Sequence, residues 1–330
     1  MSDRAVLSVT AIRTAVAALA LILLPSATPA EGTFVYKLRG EVRLLLPWIG
    51  RNDVGGGQIT LTRSGTPSGN RWTEQIEVLF GSEPDRIPKR INRWGYGRET
   101  AEWVRETGSP DPRLLSTEFL GIMRHSAESS MGEALARSKE AAAAHRYLYD
   151  GTWNRVLPAQ ASFELRILAE DDESHYQRAE RLLATYVDAL MNHPPATQKQ
   201  LVNTGGVYGA PYGFLTGVSD LVRQVMEKRA RPSLTFVFNA KLYTLDVLSA
   251  KQLSVFEARL PSGTVRYRDT ALVHFRCLNT VKQTRTDFDL WIPLSGELKG
   301  VPVRILLQPR WWLRLQMDLD PAKSHPGAGS

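Results

Sequence analysis

Histidine and glutamate side chains are the first candidates for chemistry in this chain of 330 residues. Among its six histidines, His125 has the best-placed partner, because Glu128 follows three residues later and would share its face of a helix. Both residue types bind metals, but a metal centre needs further ligands from elsewhere in the fold. An exposed polar pair is the alternative. We therefore predict no metal site and no cofactor, with His125 as the one candidate ligand.

Glu128 is also a candidate catalytic acid. It lies in the tetrad Ser126 to Ser129, and lytic transglycosylases place a Glu-Ser pair at their catalytic acid. A glutamate with a raised pKa on a helix could protonate a glycosidic oxygen. However, the Gly-Leu-Met-Gln signature of those enzymes does not follow, and the sequence has no Gly-x-Ser-x-Gly elbow. A solvated helix face is the alternative for Glu128.

Aromatic side chains beside arginines are candidates for ligand binding. Trp94, Tyr96 and Arg98 alternate with glycines, and flat rings next to a guanidinium group can hold sugars or anionic head groups. Alternation from Trp311 to Asp320 turns Trp311 inward and Trp312 outward, where Trp312 could meet a membrane interface or a partner. Burial against the core is the alternative for these aromatic residues.

The first 30 residues have the layout of a secretory signal peptide. Arg4 and Arg13 precede the apolar run from Ala15 to Leu24, and a small-residue stretch ends at Ala30. That run is shorter than the roughly 20 residues that span a membrane. We predict cleavage after Ala30 and a periplasmic or secreted protein that does not span the membrane.

The body that would remain is mildly basic and has one cysteine. It carries 39 basic and 33 acidic side chains, and this sign of charge favours anionic envelope components such as lipids or glycolipids. An exported location argues against nucleic acid as a partner. Cys277 excludes an internal disulfide and a Cys-rich metal module. It shares a face with Ala271, Val273 and Phe275, which predicts a small buried hydrophobe.

Two zones have the alternation of β-strands. In the first, residues 33–105, alternating runs follow Thr33 and lie between Trp72 and Phe80, while Gly55–Gly57 and Ser64–Asn70 have turn composition. In the other, residues 233–320, two short segments predict hairpin turns at residues 238–241 and 261–263. The residues after 320 are small and polar, which predicts a disordered tail over 321–330.

The zone between them, residues 113–231, has helical periodicity. Val218, Leu221, Val222, Val225 and Met226 fit an amphipathic helix that is closed by Pro232, and a second stripe runs from Tyr176 to Leu190. A capping box, Ser130 with Glu133, predicts a helix through Ala141–Ala144. The segment 162–168 resembles a short strand, and the glycine-rich stretch 203–213 a flexible loop or lid.

Together these zones predict an α+β fold. A single domain over residues 31–320 would contain a curved antiparallel sheet, half-barrel or lipocalin-like, built from both β zones because either alone would leave sheet edges open. The helical insertion, residues 113–231, would pack against that sheet.

The segments Leu234–Phe238, Asp287–Ile292 and Val301–Ile305, with the final alternating strand, resemble a family of exported bacterial envelope proteins with a strand-rich domain of unknown function. The resemblance covers the last hundred or so residues. It implies a curved sheet like the half-barrels that carry lipids and lipoproteins, and it implies no known activity.

These observations favour a non-enzymatic envelope protein that binds an apolar or amphiphilic ligand on the sheet, or assists envelope assembly. Two alternatives stay open at this point. One is a cell-wall or glycan hydrolase that uses Glu128, and the other is a structural module that binds a partner through Trp312.

Overall fold

The computed structural model describes the chain in segments, namely residues 31–43, 48–65, 70–83, 86, 93–105, 112–125, 142–149, 154–157, 212–238 and 241–327. Within them the molecule is one large antiparallel β-sheet with one helix, α1 (Phe214–Met226). The predicted second helix at 176–190, the strand-like piece at 162–168 and loop residues 203–211 lie outside the described segments.

Fourteen strands make up the sheet, and in chain order they are β1 (Gly32–Arg43), β2 (Trp48–Ser64), β3 (Arg71–Ser82), β4 (Arg93–Val104), β5 (Arg113–His125), β6 (Ala142–Tyr149), β7 (Asn154–Leu157), β8 (Ser233–Phe238), β9 (Lys241–Leu260), β10 (Gly263–Asn279), β11 (Arg285–Pro293), β12 (Arg304–Arg310), β13 (Leu313–Leu319) and β14 (His325–Pro326). The order across the sheet is β7-β6-β5-β4-β3-β2-β1-β13-β12-β11-β10-β9-β8, and β14 pairs with β1. Over the described residues β7 and β8 do not pair, so the sheet is not closed.

The chain therefore forms two meanders that meet at its centre, where β1 pairs with β2 on one side and with β13 on the other. This confirms the prediction that both β zones build one sheet. Alternation gives β1 one buried face, which carries Phe34, Tyr36 and Leu38. The predicted hairpin turns also lie between strands, since β8 ends at Phe238 and β9 at Leu260.

Helix α1 packs on one face of this sheet, called the inner face below. The predicted apolar stripe is confirmed, because Val218, Leu221 and Val222 are fully buried, and Val225 and Met226 pack on the same core. All residues from Phe214 to Val222 are buried, so the first half of the helix is enclosed on every side. It contacts β4 as well as β8 and β9.

The N-terminal part of the predicted helical zone is β-structure instead. Arg113–His125 and Ala142–Tyr149 are strands that pair with each other, so the helix predicted through Ala141–Ala144 is wrong. Alanine favours helices only weakly, by a few tenths of a kcal/mol per residue over many others. Backbone hydrogen bonds to β5, which place Ala143 opposite Gly121, outweigh that preference.

The glycine triplet Gly55–Gly57 is not a turn but lies inside β2, opposite β3. A side chain on Gly55 would overlap the carbonyl oxygen of Gly81. The glycines therefore allow a close approach of backbone segments within the sheet, which is the other common reason for glycine in a strand.

The C-terminal tail, predicted as disordered, packs against the sheet as far as Gly327. His325 and Pro326 pair with Thr33 and Gly32 at the start of β1. The backbone N–H of Val35 donates a hydrogen bond of 3.0 Å to the Ser324 hydroxyl. These backbone partners compensate for the absence of large apolar side chains in the tail.

The long hairpin of β9 and β10 extends beyond its neighbours, and its tip crosses the central strands. Phe256 packs against Trp291 of β11 with ring centroids 5.6 Å apart, and the guanidinium of Arg304 in β12 lies 4.8 Å from the Phe256 ring. Arg304 also forms an ion pair of 2.5 Å with Asp318 of β13. The hairpin tip thus covers Asp318, a residue that alternation places on a solvent-exposed face.

Candidate functional site

A cleft of about 770 Å³ lies where the tip of the β9–β10 hairpin meets β1 and β2. Segments from five parts of the chain form it, and they contribute Val35, Tyr36, Lys37, Asp53, Gly55, Gly56, Gly57, Gln58, Glu83, Arg86, Pro261, Ser262, Asp320 and Lys323. Its volume is within the range of small-molecule sites. The cleft is the candidate binding site described here.

The glycine triplet gives the cleft a floor of bare backbone. Residues Gly55–Gly57 are buried opposite Leu38, Lys37 and Tyr36 of β1. Space beside Gly57 is limited, because an added side-chain carbon would lie 3.1 Å from Met317 and 3.2 Å from the carbonyl oxygen of Leu79. Larger residues at this position would therefore press on the core.

Arg86 and Asp53 form one wall. The Arg86 guanidinium donates to the Asp53 carbonyl oxygen at 3.3 Å and lies 3.8 Å from its carboxylate. Half of the Arg86 side chain is exposed, so part of its charge faces solvent. Arg51 donates a 2.8 Å hydrogen bond to the Arg86 carbonyl oxygen, which fixes this segment.

The C-terminal turn forms a second wall. The backbone N–H of Asp320 donates to the carbonyl oxygen of Val35 at 2.7 Å, and the Asp320 carboxylate accepts the N–H of Ala322 at 3.2 Å. Lys323, in the same turn, is exposed. The cleft thus has three basic and three acidic side chains, together with the apolar surfaces of Val35 and Pro261.

Tyr36 is the aromatic side chain beneath the cleft, and it is fixed in place. Its hydroxyl donates a 2.8 Å hydrogen bond to the carbonyl oxygen of Pro302. Complete burial, with a smaller contribution from Tyr267, raises the pKa of Tyr36 well above its usual value. Tyr36 is therefore a neutral, rigid residue beneath the cleft, and its hydroxyl donates its hydrogen bond to the protein backbone.

A second polar region lies where the start of α1 meets β4. Glu99 is 1% exposed, and its carboxylate accepts hydrogen bonds from the backbone N–H groups of Leu215 and Thr216, at 3.1 and 2.7 Å, and from the Thr216 hydroxyl. Gly213 precedes the helix and supplies no side-chain cap. A side-chain carbon there would overlap the Glu99 carboxylate. Glu99 thus caps the helix from another strand.

Burial raises the pKa of Glu99 to about 7, although the hydrogen bonds from Thr216 and Leu215 lower it. Such a value suits an acid catalyst at neutral pH. Nevertheless, both oxygens contact the helix terminus, and almost none of the residue is accessible to solvent. The arrangement holds α1 in place and gives a substrate no route to the carboxylate.

Glu74 and Asp220 extend this buried region. Burial raises the pKa of Glu74, Arg63 at 3.7 Å lowers it, and Asp220 raises it. Asp220 accepts hydrogen bonds from Tyr212 at 3.0 Å and from Gln224 at 2.8 Å, and it forms an ion pair of 2.5 Å with Arg223. These contacts tie the helix to itself and to the segment before it.

None of the candidates predicted from the sequence is among the described side chains that line the cleft. Trp94, Tyr96 and Arg98 belong to β4, where Arg98 is half-buried and paired in register with Glu77 of β3. His125 ends β5 opposite Arg93. Glu128 lies outside the described segments.

The two tryptophans near the C-terminus differ from the prediction. Trp311 is 69% exposed and Trp312 is half-buried. The reason is that β13 begins only at Leu313, so both residues lie in the turn after β12, where strand alternation does not apply. Cys277, predicted to be a small buried hydrophobe, is half-buried and packs against the core, and burial raises the pKa of its thiol to about 12.

Most residues of the cleft could not be found from the sequence. The glycine triplet was the one local signal, but its composition indicated a turn. Arg86 and Lys323 are separated by more than two hundred residues, and only the pairing of β1 with β2, β13 and β14 brings their segments together.

The described segments contain neither a cluster of metal-binding side chains nor a long apolar helix. Histidine, cysteine and acidic side chains form no group of three or more that could hold a metal ion there. Over the same segments, α1 included, no helix has the length and hydropathy of a membrane span.

Comparison of the chain with family models, with curated proteins and with solved structures found no match.

Proposed function

We propose that this protein is an exported, non-enzymatic protein of the bacterial envelope that binds an amphiphilic molecule in the cleft between β1–β2 and the β9–β10 hairpin tip. The observation that carries the proposal is the cleft itself, which combines a glycine floor, apolar surface and charges of both signs in about 770 Å³.

The half-barrel form of the sheet is part of this proposal. In the sheet order β4 is fourth and β8 is thirteenth, so a flat sheet would separate them by roughly 43 Å. Helix α1, about 10 Å wide, nevertheless contacts both strands. These contacts support a sheet that bends round the helix, as in the strand-rich envelope proteins that the C-terminal segments resemble.

The helix also bears on where a ligand would bind. The sequence favoured the sheet's apolar concave face, but Phe214, Leu215 and Val218 fill the inner face between β4 and β8. Because the helix already covers that apolar surface, a ligand could bind there only by displacing the helix. The cleft remains accessible from solvent, and we therefore assign the ligand to it.

The charges of the cleft support a ligand with a charged head group. Lys37, Arg86 and Lys323 can contact a phosphate or carboxylate, and Glu83 can contact an amine beside it. Asp53 and Asp320 are already engaged by Arg86 and by the C-terminal turn. Val35 and Pro261 offer apolar surface for the adjoining part of an amphiphile.

Native mass spectrometry tests this proposal. The full chain, expressed in a bacterium with an intact envelope, is measured as purified and after addition of phosphatidylglycerol or phosphatidylethanolamine. We expect a lipid-sized adduct that is lost on denaturation. We also expect a covalent mass that lacks residues 1–30, as cleavage after Ala30 would give.

Substitutions in the cleft test whether the lipid in the adduct binds there. Ser262→Trp would fill the cleft from the hairpin turn, and Lys37→Glu would reverse one of its charges. Lys251→Glu, at an exposed position of β9, is the matched control for Lys37→Glu. We expect loss of the adduct in the two cleft variants and its retention in the control. Equal adducts in all three, or none in the wild type with added lipid, would refute the proposal.

A further inference from the structure

One end of the sheet carries tryptophan and arginine side chains at its surface. It is formed by the last residues of β1, the first residues of β2 and the turn between β12 and β13. We call it the Trp–Arg end and define it by Trp48, Ile49, Trp311, Trp312, Arg43 and Arg314. None of these residues lines the cleft.

Strand pairing places these residues next to one another. Arg43 pairs with Trp48, and Val42 pairs with both Ile49 and Leu313. The backbone N–H of Arg43 also donates a 2.8 Å hydrogen bond to the Trp312 carbonyl oxygen. Three separate stretches of sequence therefore meet at one edge of the molecule.

The apolar side chains of this end are unusually exposed. Trp311 is 69% and Ile49 is 55% exposed, and they are two of the four large hydrophobic residues that are exposed in the described segments. Trp48 and Trp312 are half-buried. An indole ring has a large apolar surface and one polar N–H, and such rings collect at the interface between water and lipid.

The charge of this end is positive. Guanidinium groups of Arg43 and Arg314 lie 6.0 and 4.4 Å from the centroid of the Trp48 ring. Glu41 neutralises part of the charge, since it forms ion pairs with Arg39 at 3.0 Å and with Arg314 at 3.3 Å. Three arginines against one glutamate leave a surplus that complements anionic head groups.

We infer that the Trp–Arg end docks on the surface of an anionic lipid bilayer. Trp311 and Ile49 enter the interfacial layer, and the arginines contact lipid phosphates. The protein lies on the membrane at this end and does not cross it. Exposed aromatic residues together with surplus positive charge are the two features that interfacial binding needs, and they coincide here.

Sedimentation of the protein without residues 1–30, whose apolar run would itself bind lipid, tests this inference with two sets of vesicles. One set contains phosphatidylcholine alone, and the other contains phosphatidylcholine with phosphatidylglycerol. We expect binding to the anionic vesicles, weaker binding to the neutral ones, and loss of binding as salt is raised. Absence of sedimentation with both sets, or equal binding to both, would overturn the inference.

Substitutions then locate the contact. We expect Trp311→Ala to lower the partition coefficient by at least about five-fold, because it removes the most exposed ring. Arg43→Gln should lower it by about five-fold on anionic vesicles. Val281→Ala and Arg285→Gln, at exposed positions in or beside the β10–β11 turn, are the controls and should bind like the wild type.

Circular dichroism of each variant separates loss of docking from loss of folding. A folded Trp311→Ala protein that binds as well as the wild type would show that another surface contacts the lipid, and it would reject the inference. Ser262→Trp, which fills the cleft, should bind vesicles normally. That result would keep docking at the Trp–Arg end distinct from ligand binding in the cleft.

Discussion

Ionisable side chains have different roles in two regions of the molecule. At the start of α1 one holds the helix in place, and in the cleft one stays accessible to solvent. Glu99 is almost completely buried, and the helix occupies both of its carboxylate oxygens. Arg86 contacts Asp53 but keeps half of its side chain in solvent. A perturbed pKa can therefore result from a structural contact, whereas binding requires a charge that a ligand can reach.

The largest expected effect comes from removing the carboxylate that caps α1. Glu99→Ala would leave the N–H groups of Leu215 and Thr216 buried without their acceptor. We expect the free energy of unfolding to fall by about 3 kcal/mol, as measured by urea denaturation. Glu297→Ala, at an exposed loop position, is the matched control and should change it by less than about 0.5 kcal/mol. A similar small change for both variants would contradict the capping role.

A second prediction uses the pKa of Glu99. In the folded protein it is raised to about 7, so between roughly pH 4.5 and 7 the folded state holds a proton that the unfolded state releases. Unfolding therefore becomes easier as pH rises through this range, and the stability is constant above it. We expect the wild type to lose about 2 kcal/mol of unfolding free energy between pH 5 and 7.5.

The Glu99→Gln variant tests whether Glu99 causes this pH dependence of the unfolding free energy, because glutamine cannot titrate. The pH dependence should become smaller in this variant, and the part that remains should come from Glu74, whose pKa burial also raises. The same urea titrations at several pH values provide the measurement. If the two proteins had the same dependence on pH, the titrating group would not be Glu99.

The smallest effect is expected in the cleft. Arg86→Ala removes an ion pair of 3.8 Å whose partners are both substantially exposed, and such pairs contribute little to stability. We expect less than about 0.5 kcal/mol in the urea experiment. A loss as large as that of Glu99→Ala would show that the cleft wall is a structural element, and the contrast between the two regions would disappear.

Repeating patterns made much of the fold predictable. The face shared by Ile76, Val78 and Phe80 and the stripe of Val218, Leu221 and Val222 are both buried as their spacing indicates. In these segments the number of buried side chains on one face is large enough to determine the element and its orientation.

Prediction was wrong where contacts between distant segments outweigh local preference. Ala142–Ala144 join a strand because β5 offers hydrogen-bond partners, and Gly55–Gly57 stay in β2 because β3 approaches closely. Contacts between distant segments also form the two polar regions, the start of α1 and the cleft, so the sequence did not predict them. Nothing near Glu99 in the sequence indicates a helix that begins 115 residues later, and the cleft requires residues from both ends of the chain.

The central position of β1 has a consequence for the order of folding. Among the described strands this one is made first, yet one of its two long partners is β13, which is made nearly last. During synthesis β1 and β2 can pair at once, but the other edge of β1 has no partner until residues 313–326 have emerged. A chain that stopped near residue 300 would present that edge to other molecules, and the two meanders could not join.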